Sequence, residues 1–354
     1  MKNREMYEEA ESLINTLETE HKLSKEDLVK LLTLNDAGPV FEAADRVRER
    51  FVGNDVHLRG LIEFSSHCGR TCLYCGLRAP NKNIKRYRME SYEIAECALN
   101  ASKYGLKTVV LQSGEDRTFR IDELCKIISE IKKMDLAVTL SIGEMSKNEY
   151  AELKKAGADR YLLRIETSNE VLYKKLHPRM SYKNRIRCLY DIKDLGFEVG
   201  TGSLIGLPGQ TPEILADDLL FFKELDADMI GLGPFIPCIN TPLEDKSGGS
   251  VDTVLRMLAL ARLLMPDINI PATTALGIKD SNGYQKGLLC GANVIMPNAG
   301  MCKYKKLYAI YPGKDDGTTS SDLEEQIKVI KAIVFNLGRS IGTDFGYRKK
   351  SRTI

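Results

Sequence analysis

The chain has 354 residues, and 51 Lys+Arg against 49 Asp+Glu give a formal net charge of +2. That balance argues against a dedicated nucleic-acid binder, which carries a clustered basic excess. An apolar fraction of 43% and a charged fraction of 28% belong to a folded globular protein, and a chain this long buries a large core without disulfide or metal staples.

Residues 1–55 read as a helical extension: MYEEAESLINTLETE is amphipathic, Ser24 is placed to cap a second helix, and Phe41 to Phe51 reads as a third. The first residues are polar and acidic, unlike a signal peptide. No window approaches 18 uninterrupted apolar residues, so no membrane span is expected and a cytoplasmic location is. There, the nine cysteines (68, 72, 75, 97, 125, 188, 238, 290 and 302) are expected to bind metal, act in catalysis or sit inert, not to form disulfides.

From residue 56 short β-branched runs alternate with amphipathic stretches. The runs are 56–65, 107–113, 137–142, 161–166, 198–207, 229–235, 269–275 and 292–297. Alternation of this kind predicts parallel strands joined by crossover helices, and eight units match an α/β fold of the (β/α)8 TIM-barrel type. A doubly wound open sheet is the competing architecture. The expected organisation is a helical extension over 1–55, a barrel over 56–313 and a C-terminal helical segment over 314–354, with its helix at 320–338.

Three cysteines crowd the segment after the first predicted strand, as Cys68-x3-Cys72-x2-Cys75. In a barrel this loop lies at the C-terminal mouth, where active sites sit. Three thiolates on one loop can hold three irons of a cubane and leave the fourth open to a ligand. A zinc knuckle is the alternative, but it wants a fourth ligand at short spacing, and the adjacent His67 is badly placed to close the same tetrahedron. Three inert buried thiols are the other alternative.

The cysteine spacing, with the aromatic Tyr74 inside it, resembles the radical S-adenosylmethionine (SAM) superfamily. The resemblance implies a 4Fe–4S cluster held by Cys68, Cys72 and Cys75 as the catalytic metal ligands. It also implies SAM chelated to the open iron and cleaved by an electron from the cluster to a 5′-deoxyadenosyl radical. The segment Gln112-Ser113-Gly114-Glu115 resembles the superfamily's "GGE" motif. Gly114 by itself permits close backbone approach to a ligand, although an ordinary strand-to-helix turn reads the same way. Residues 202–209, GSLIGLPG, resemble the adenine-side glycine-rich segment and lack Rossmann spacing. Arg164 and Glu166 share a strand face; a structural ion pair is the plain alternative to SAM binding.

Longer phrases resemble the HydE family of FeFe-hydrogenase maturases: NKNIKRYRM, LQSGED, GADRYLLRIET, GPFIPCINTPL, IPATTALG and CGANVIMPN, all within 56–313. Methylornithine synthase is the next relative and biotin synthase a more distant one. The resemblance implies action in H-cluster assembly on a small organometallic iron–cysteine complex, with a GTPase scaffold of the HydF type and an external electron donor as partners. It implies a SAM site of Tyr74, Gln112, Ser113, Gly114, Thr139, Arg164, Glu166, Arg185 and Met229. It implies a substrate cavity of Arg160, Thr273, Thr274, Met296, Tyr308 and Tyr311, in which Arg160 supplies charge and hydroxyls donate to an anionic complex. Core packing is the alternative reading for Met296, and strand propensity for the threonines. Some family members carry a second cluster on three C-terminal cysteines. Residues 313–330 contain no cysteine, so that cluster is expected to be absent. Residue 165 is Ile where some relatives have His.

Overall fold

The computed structural model describes residues 2–313 and 322–350. Residues 314–321, the start of the expected C-terminal segment and the stretch where a second cluster would be sought, lie outside the described residues.

Eight parallel strands make the wall: Asp55–Ser65, Thr108–Ser113, Ala137–Ser141, Arg160–Leu162, Glu198–Thr201, Met229–Ile230, Pro271–Ala272 and Val294–Ile295. Each pairs with its sequence neighbour from the sixth back to the first, and the first pairs with the eighth and the eighth with the seventh. A parallel bridge between Met229 and Asn269, with Ile230 N–H donating to Asn269 O at 3.0 Å, joins the sixth and seventh and closes the ring. The fold is the expected (β/α)8 barrel; an open sheet would leave two unpaired edges. Helices cover the outside, so the wall strands are apolar on their outer faces. In the first strand Ile62 and Phe64 join the core under the helices, while Arg59, Leu61 and Glu63, one position out of phase, face the lumen.

The fourth, fifth and sixth strands are shorter than their apolar runs predict. Regular pairing in the fourth stops at Leu162, and Glu166 beyond it takes φ +66°. The fifth run breaks at Gly202, whose φ is +149° and where a Cβ would sit 2.0 Å from Gly231 O. Its upper piece, Leu204–Ile205, pairs instead with Gly233–Pro234, the upper piece of the broken sixth run. The seventh run ends early because the helix Thr274–Lys279 starts inside it.

The helices Lys2–Glu20, Lys25–Leu32 and Gly38–Val52 pack on the outer helices Pro212–Glu224 and Val251–Leu264. Ser24 caps the second of them, its Oγ accepting from Asp27 N–H at 3.1 Å. Their apolar faces, the barrel and the helix Leu323–Asn336 share one continuous core.

The C-terminal segment is more than helical. After Leu323–Asn336, Ser340–Ile341 pairs in parallel with Asp55–Val56 at the foot of the first strand. The chain then straps the barrel floor. Phe345 O accepts from Thr108 Oγ1 at 3.0 Å and Arg160 Nη2 at 2.7 Å. Gly346 O accepts from Arg59 Nη2 and Asn269 Nδ2, each at 3.1 Å. Arg348 reaches Asp226, Asp228 and Asp267 at 2.7, 3.2 and 2.9 Å. Among the described residues no helix is long and apolar enough to cross a membrane.

Candidate active site

The cysteine loop leaves the first strand at the mouth and is pinned along its length. Gly69 N–H donates to Glu115 O at 3.0 Å, Leu73 N–H to Leu176 O at 2.9 Å and Gly76 N–H to Ile310 O at 3.0 Å. Gly76 permits the last contact, since a Cβ there would lie 2.0 Å from Ala309 O. Thr71 Oγ1 donates to Pro178 O at 2.5 Å. Cys68, Cys72 and Cys75 are half-buried. Burial raises all three thiols, Cys72 to about 12 and Cys75 well above the usual range. The thiols therefore hold their protons at neutral pH, and iron has to displace them on loading.

Tyr74 OH lies 2.8 Å from His177 Nε2, and His177 Nδ1 lies 2.9 Å from Tyr173 O. A carbonyl only accepts, so Nδ1 carries the proton and Tyr74 donates to Nε2. Burial lowers His177 to about 4, which keeps the ring neutral.

Gln112 and Ser113 end the second strand, and Gly114 follows against the cysteine loop. A Cβ on Gly114 would meet His67 O at 2.3 Å and Cys68 Cβ at 2.6 Å. Across the mouth, Arg164 Nη2 approaches Glu166 Oε2 at 3.0 Å. The two are badly aligned: Arg164 Nε and Nη2, Glu166 Oε2 and the Thr139 hydroxyl are all buried without a hydrogen-bond partner. Burial raises the Glu166 carboxyl, against the lowering effect of Arg164. Arg185 stands behind Arg164, donating from Nη1 to Arg164 O at 2.6 Å and from Nε to Glu144 at 2.7 Å.

Below the mouth is a lumenal cavity of about 180 Å3. It brings together Gln112, Thr139, Arg164, Met229, Thr273, Thr274, Met296 and Tyr311. Tyr308 is buried beside it, its hydroxyl 3.4 Å from Gln112 Nε2. Arg160 is not brought into this group. It shares the inward face of Leu162 and Arg164 but lies one layer lower, fully buried at the floor, paired with Glu198 and covered by Phe345 and the Tyr347 ring. Arg59 and Arg164 supply the cationic groups of the cavity wall.

The donor set fits an iron–sulfur cluster with SAM. Among the described residues no three His, Cys, Asp or Glu converge on a single-ion position, whereas a cubane asks each thiolate for a separate iron. The glycine contact at 114 and the orphaned polar atoms of Thr139, Arg164 and Glu166 form a polar cradle beside the thiols, as a zwitterionic ligand requires. Sequence reasoning passed over Arg59, Arg70, Glu144 and His177, and gave Glu115 a place in the "GGE"-like segment but no role of its own. Arg59 was findable from the inward period of the first strand.

A family model described as "Radical SAM superfamily" matches residues 62–222. The [FeFe] hydrogenase maturase subunit HydE of Thermotoga maritima is 49% identical over 336 residues, covering 93% of this chain and 95% of that protein. The chain belongs to the HydE maturase family of the radical SAM superfamily. Its cofactors are accordingly a 4Fe–4S cluster and SAM. The crystal structure of methylornithine synthase (PylB) superposes with a TM-score of 0.78 at 27% identity, covering 93% of this chain and 97% of that one. The FeFe-hydrogenase maturase HydG from Carboxydothermus hydrogenoformans superposes at 0.81 with 21% identity, covering 98% and 82%, a likeness of fold.

Proposed function

We propose that the chain is a maturase that cleaves SAM reductively and acts on a small organometallic iron–cysteine complex during assembly of the FeFe-hydrogenase diiron subcluster. The observation that carries this is the set of buried polar atoms on Thr139, Arg164 and Glu166 that make no well-formed hydrogen bond, with Thr139 and Arg164 on the wall of the lumenal cavity. Leaving such groups unsatisfied costs about 1–3 kcal/mol each, which a bound ligand recovers.

In this reading Cys68, Cys72 and Cys75 hold the cluster, which when bound supplies the electron that splits SAM. Gly114 offers its backbone to the SAM ammonium, Glu166 its carboxylate, and Arg164 and Arg185 oppose the SAM carboxylate. Tyr74, held by His177, and Gln112, Ser113, Thr139 and Met229 complete the SAM pocket. Thr273, Thr274, Met296, Tyr308 and Tyr311 receive the substrate lower in the lumen, with Arg164 in the charge role expected of Arg160. The strap at the floor and the apolar wall exclude water and stray hydrogen donors. A GTPase scaffold of the HydF type as recipient, an external electron donor and a cytoplasmic setting belong to the same reading.

The test is anaerobic reconstitution with iron and sulfide, EPR of the reduced protein with and without SAM, and a hydrogenase maturation assay. A 4Fe–4S signal that shifts on SAM addition, with maturation lost and the cluster kept in Glu166→Gln, is expected. A cluster indifferent to SAM, or wild-type maturation by Glu166→Gln, would overturn it. Methylornithine formation from lysine by the same preparation would place its activity with methylornithine synthase instead.

A further inference from the structure

Four charged side chains alternate in sign just behind the cysteine loop. Arg70, between Cys68 and Cys72, donates from Nε to Glu115 Oε2 at 2.5 Å and from Nη2 to Glu144 Oε2 at 3.2 Å. Glu144 also accepts from Arg185 Nε at 2.7 Å and from Asn184 Nδ2 at 2.8 Å. Its side chain is 4% exposed, that of Arg185 9% and that of Glu115 11%. Gly143, at φ +92°, makes room for the chain: a Cβ there would lie 1.9 Å from Glu115 Cγ.

We propose that Glu144 is a positioning residue: a buried carboxylate clasp that fixes the cysteine loop, through Arg70, to the wall segment carrying Arg164 and Glu166, through Arg185. The four elements involved are the loop after the first strand, the exits of the second and third strands, and the helix Tyr182–Asp194. Pairing among them in the wall sets strand spacing only. The clasp runs through side chains from a residue inside the Cys68–Cys72 interval to the backbone of Arg164, whose oxygen accepts from the other arm of Arg185 at 2.6 Å. Two guanidiniums meet two carboxylates, so the clasp carries no net charge toward the cluster and works through geometry. Removing the Glu144 charge leaves the buried Arg185 guanidinium and the partly exposed Arg70 guanidinium without the carboxylate they share, Glu115 remaining on Arg70. Breaking a buried pair in this way is costly because the orphaned charge stays buried. The inference rests on the proposed cluster and SAM site, and it assigns to that site a residue outside its lining.

The variants are Glu144→Gln and Arg70→Gln, with Arg46→Gln, an exposed N-terminal-helix charge paired with Glu18, as the control for charge removal. The readouts are iron content, melting temperature, an EPR titration of the reduced cluster with SAM, and the cluster midpoint potential. Both clasp variants are expected to need at least ten-fold more SAM for the spectral shift and to show broadened cluster spectra, while Arg46→Gln behaves as wild type. Loss of iron loading at an unchanged melting temperature supports the same conclusion. If Glu144→Gln does not fold, Arg70→Gln, on a partly exposed side chain, carries the test. Wild-type SAM dependence and spectra in Arg70→Gln or Glu144→Gln, with only the melting temperature lowered, overturn the clasp. A wild-type protein whose cluster ignores SAM refutes the underlying functional reading instead.

Discussion

Gly114→Ala tests whether the second-strand exit and the cysteine loop form one rigid unit. The added Cβ would lie 2.3 Å from His67 O and 2.6 Å from Cys68 Cβ, where real Cβ contacts essentially never fall below 3.0 Å. Relief at His67 O alone therefore takes 3.0 − 2.3, about 0.7 Å of movement. The atoms met are a backbone oxygen and a Cβ, not the end of a flexible side chain, so the loop has to shift as a body. Overpacking of this kind costs about 1–3 kcal/mol, and a shift near 1 Å at reacting groups costs about 100-fold in rate. The expected result is a modest fall in melting temperature, poor iron retention and a loss of about two orders of magnitude in SAM cleavage. Gly105→Ala is the control: its φ is +83° and nothing lies within 4 Å of its Cβ. It carries about 1–2 kcal/mol of backbone strain and leaves iron loading untouched. If Gly114→Ala holds iron and cleaves SAM like the wild type, the loop is compliant and the reasoning fails.

Three further outcomes are expected. Thr139→Val removes a buried hydroxyl that has no partner, so the ligand-free protein should melt higher, by the equivalent of about 1 kcal/mol, while SAM or substrate binds more weakly; a lower melting temperature would refute this. Asp218 is buried under donors from Ser168 and Ser203, and burial raises its carboxyl to about 6 from 3.8. Between those values the folded state binds more protons than the unfolded, so wild-type stability falls as pH rises from about 4 to 6, by about 3 kcal/mol. Denaturant unfolding of Asp218→Asn should lack that component, and identical pH profiles for the two proteins would exclude it. Arg348→Ala removes the cation that joins Asp226, Asp228 and Asp267 at the floor, while Asp226 keeps Lys350 and Lys193, and should cost about 1–3 kcal/mol, measured by chemical denaturation; a loss below about 0.5 kcal/mol would mean that the remaining cations and solvent already screen them.

The features legible in the sequence are those whose signal is local. The cysteine spacing sits within eight residues, 68–75, and the alternation of strand and helix runs needs only short windows. Arg160 shows where a periodic reading stops: alternation gives the face of a strand, while the layer depends on how the strand is staggered in the ring. Arg160 and Arg164 share a face, yet one meets the floor and the other the cavity. The clasp was illegible because its pairs lie 45, 74 and 41 positions apart: Arg185 and Glu115 stood in segments with a family resemblance, but nothing local joined them to Arg70 or Glu144. The breaks at Glu166 and Gly202 were hidden for another reason. The fourth run extends to Glu166 and the fifth through Gly202, and only the positive φ values at both reveal that the backbone turns.

The floor strap bears on how the molecule is made. Residues 340–348 follow every wall strand in the chain, so they leave the ribosome after the wall is complete. Until the strap docks, Arg59 and Arg160 lack the Gly346 and Phe345 carbonyls that accept from them at the base. Closure of the lumen's base therefore waits on residues that follow every wall strand. Peptide fused or lost just beyond the strap should show itself first as water in the lumen, with the ring of strands still intact.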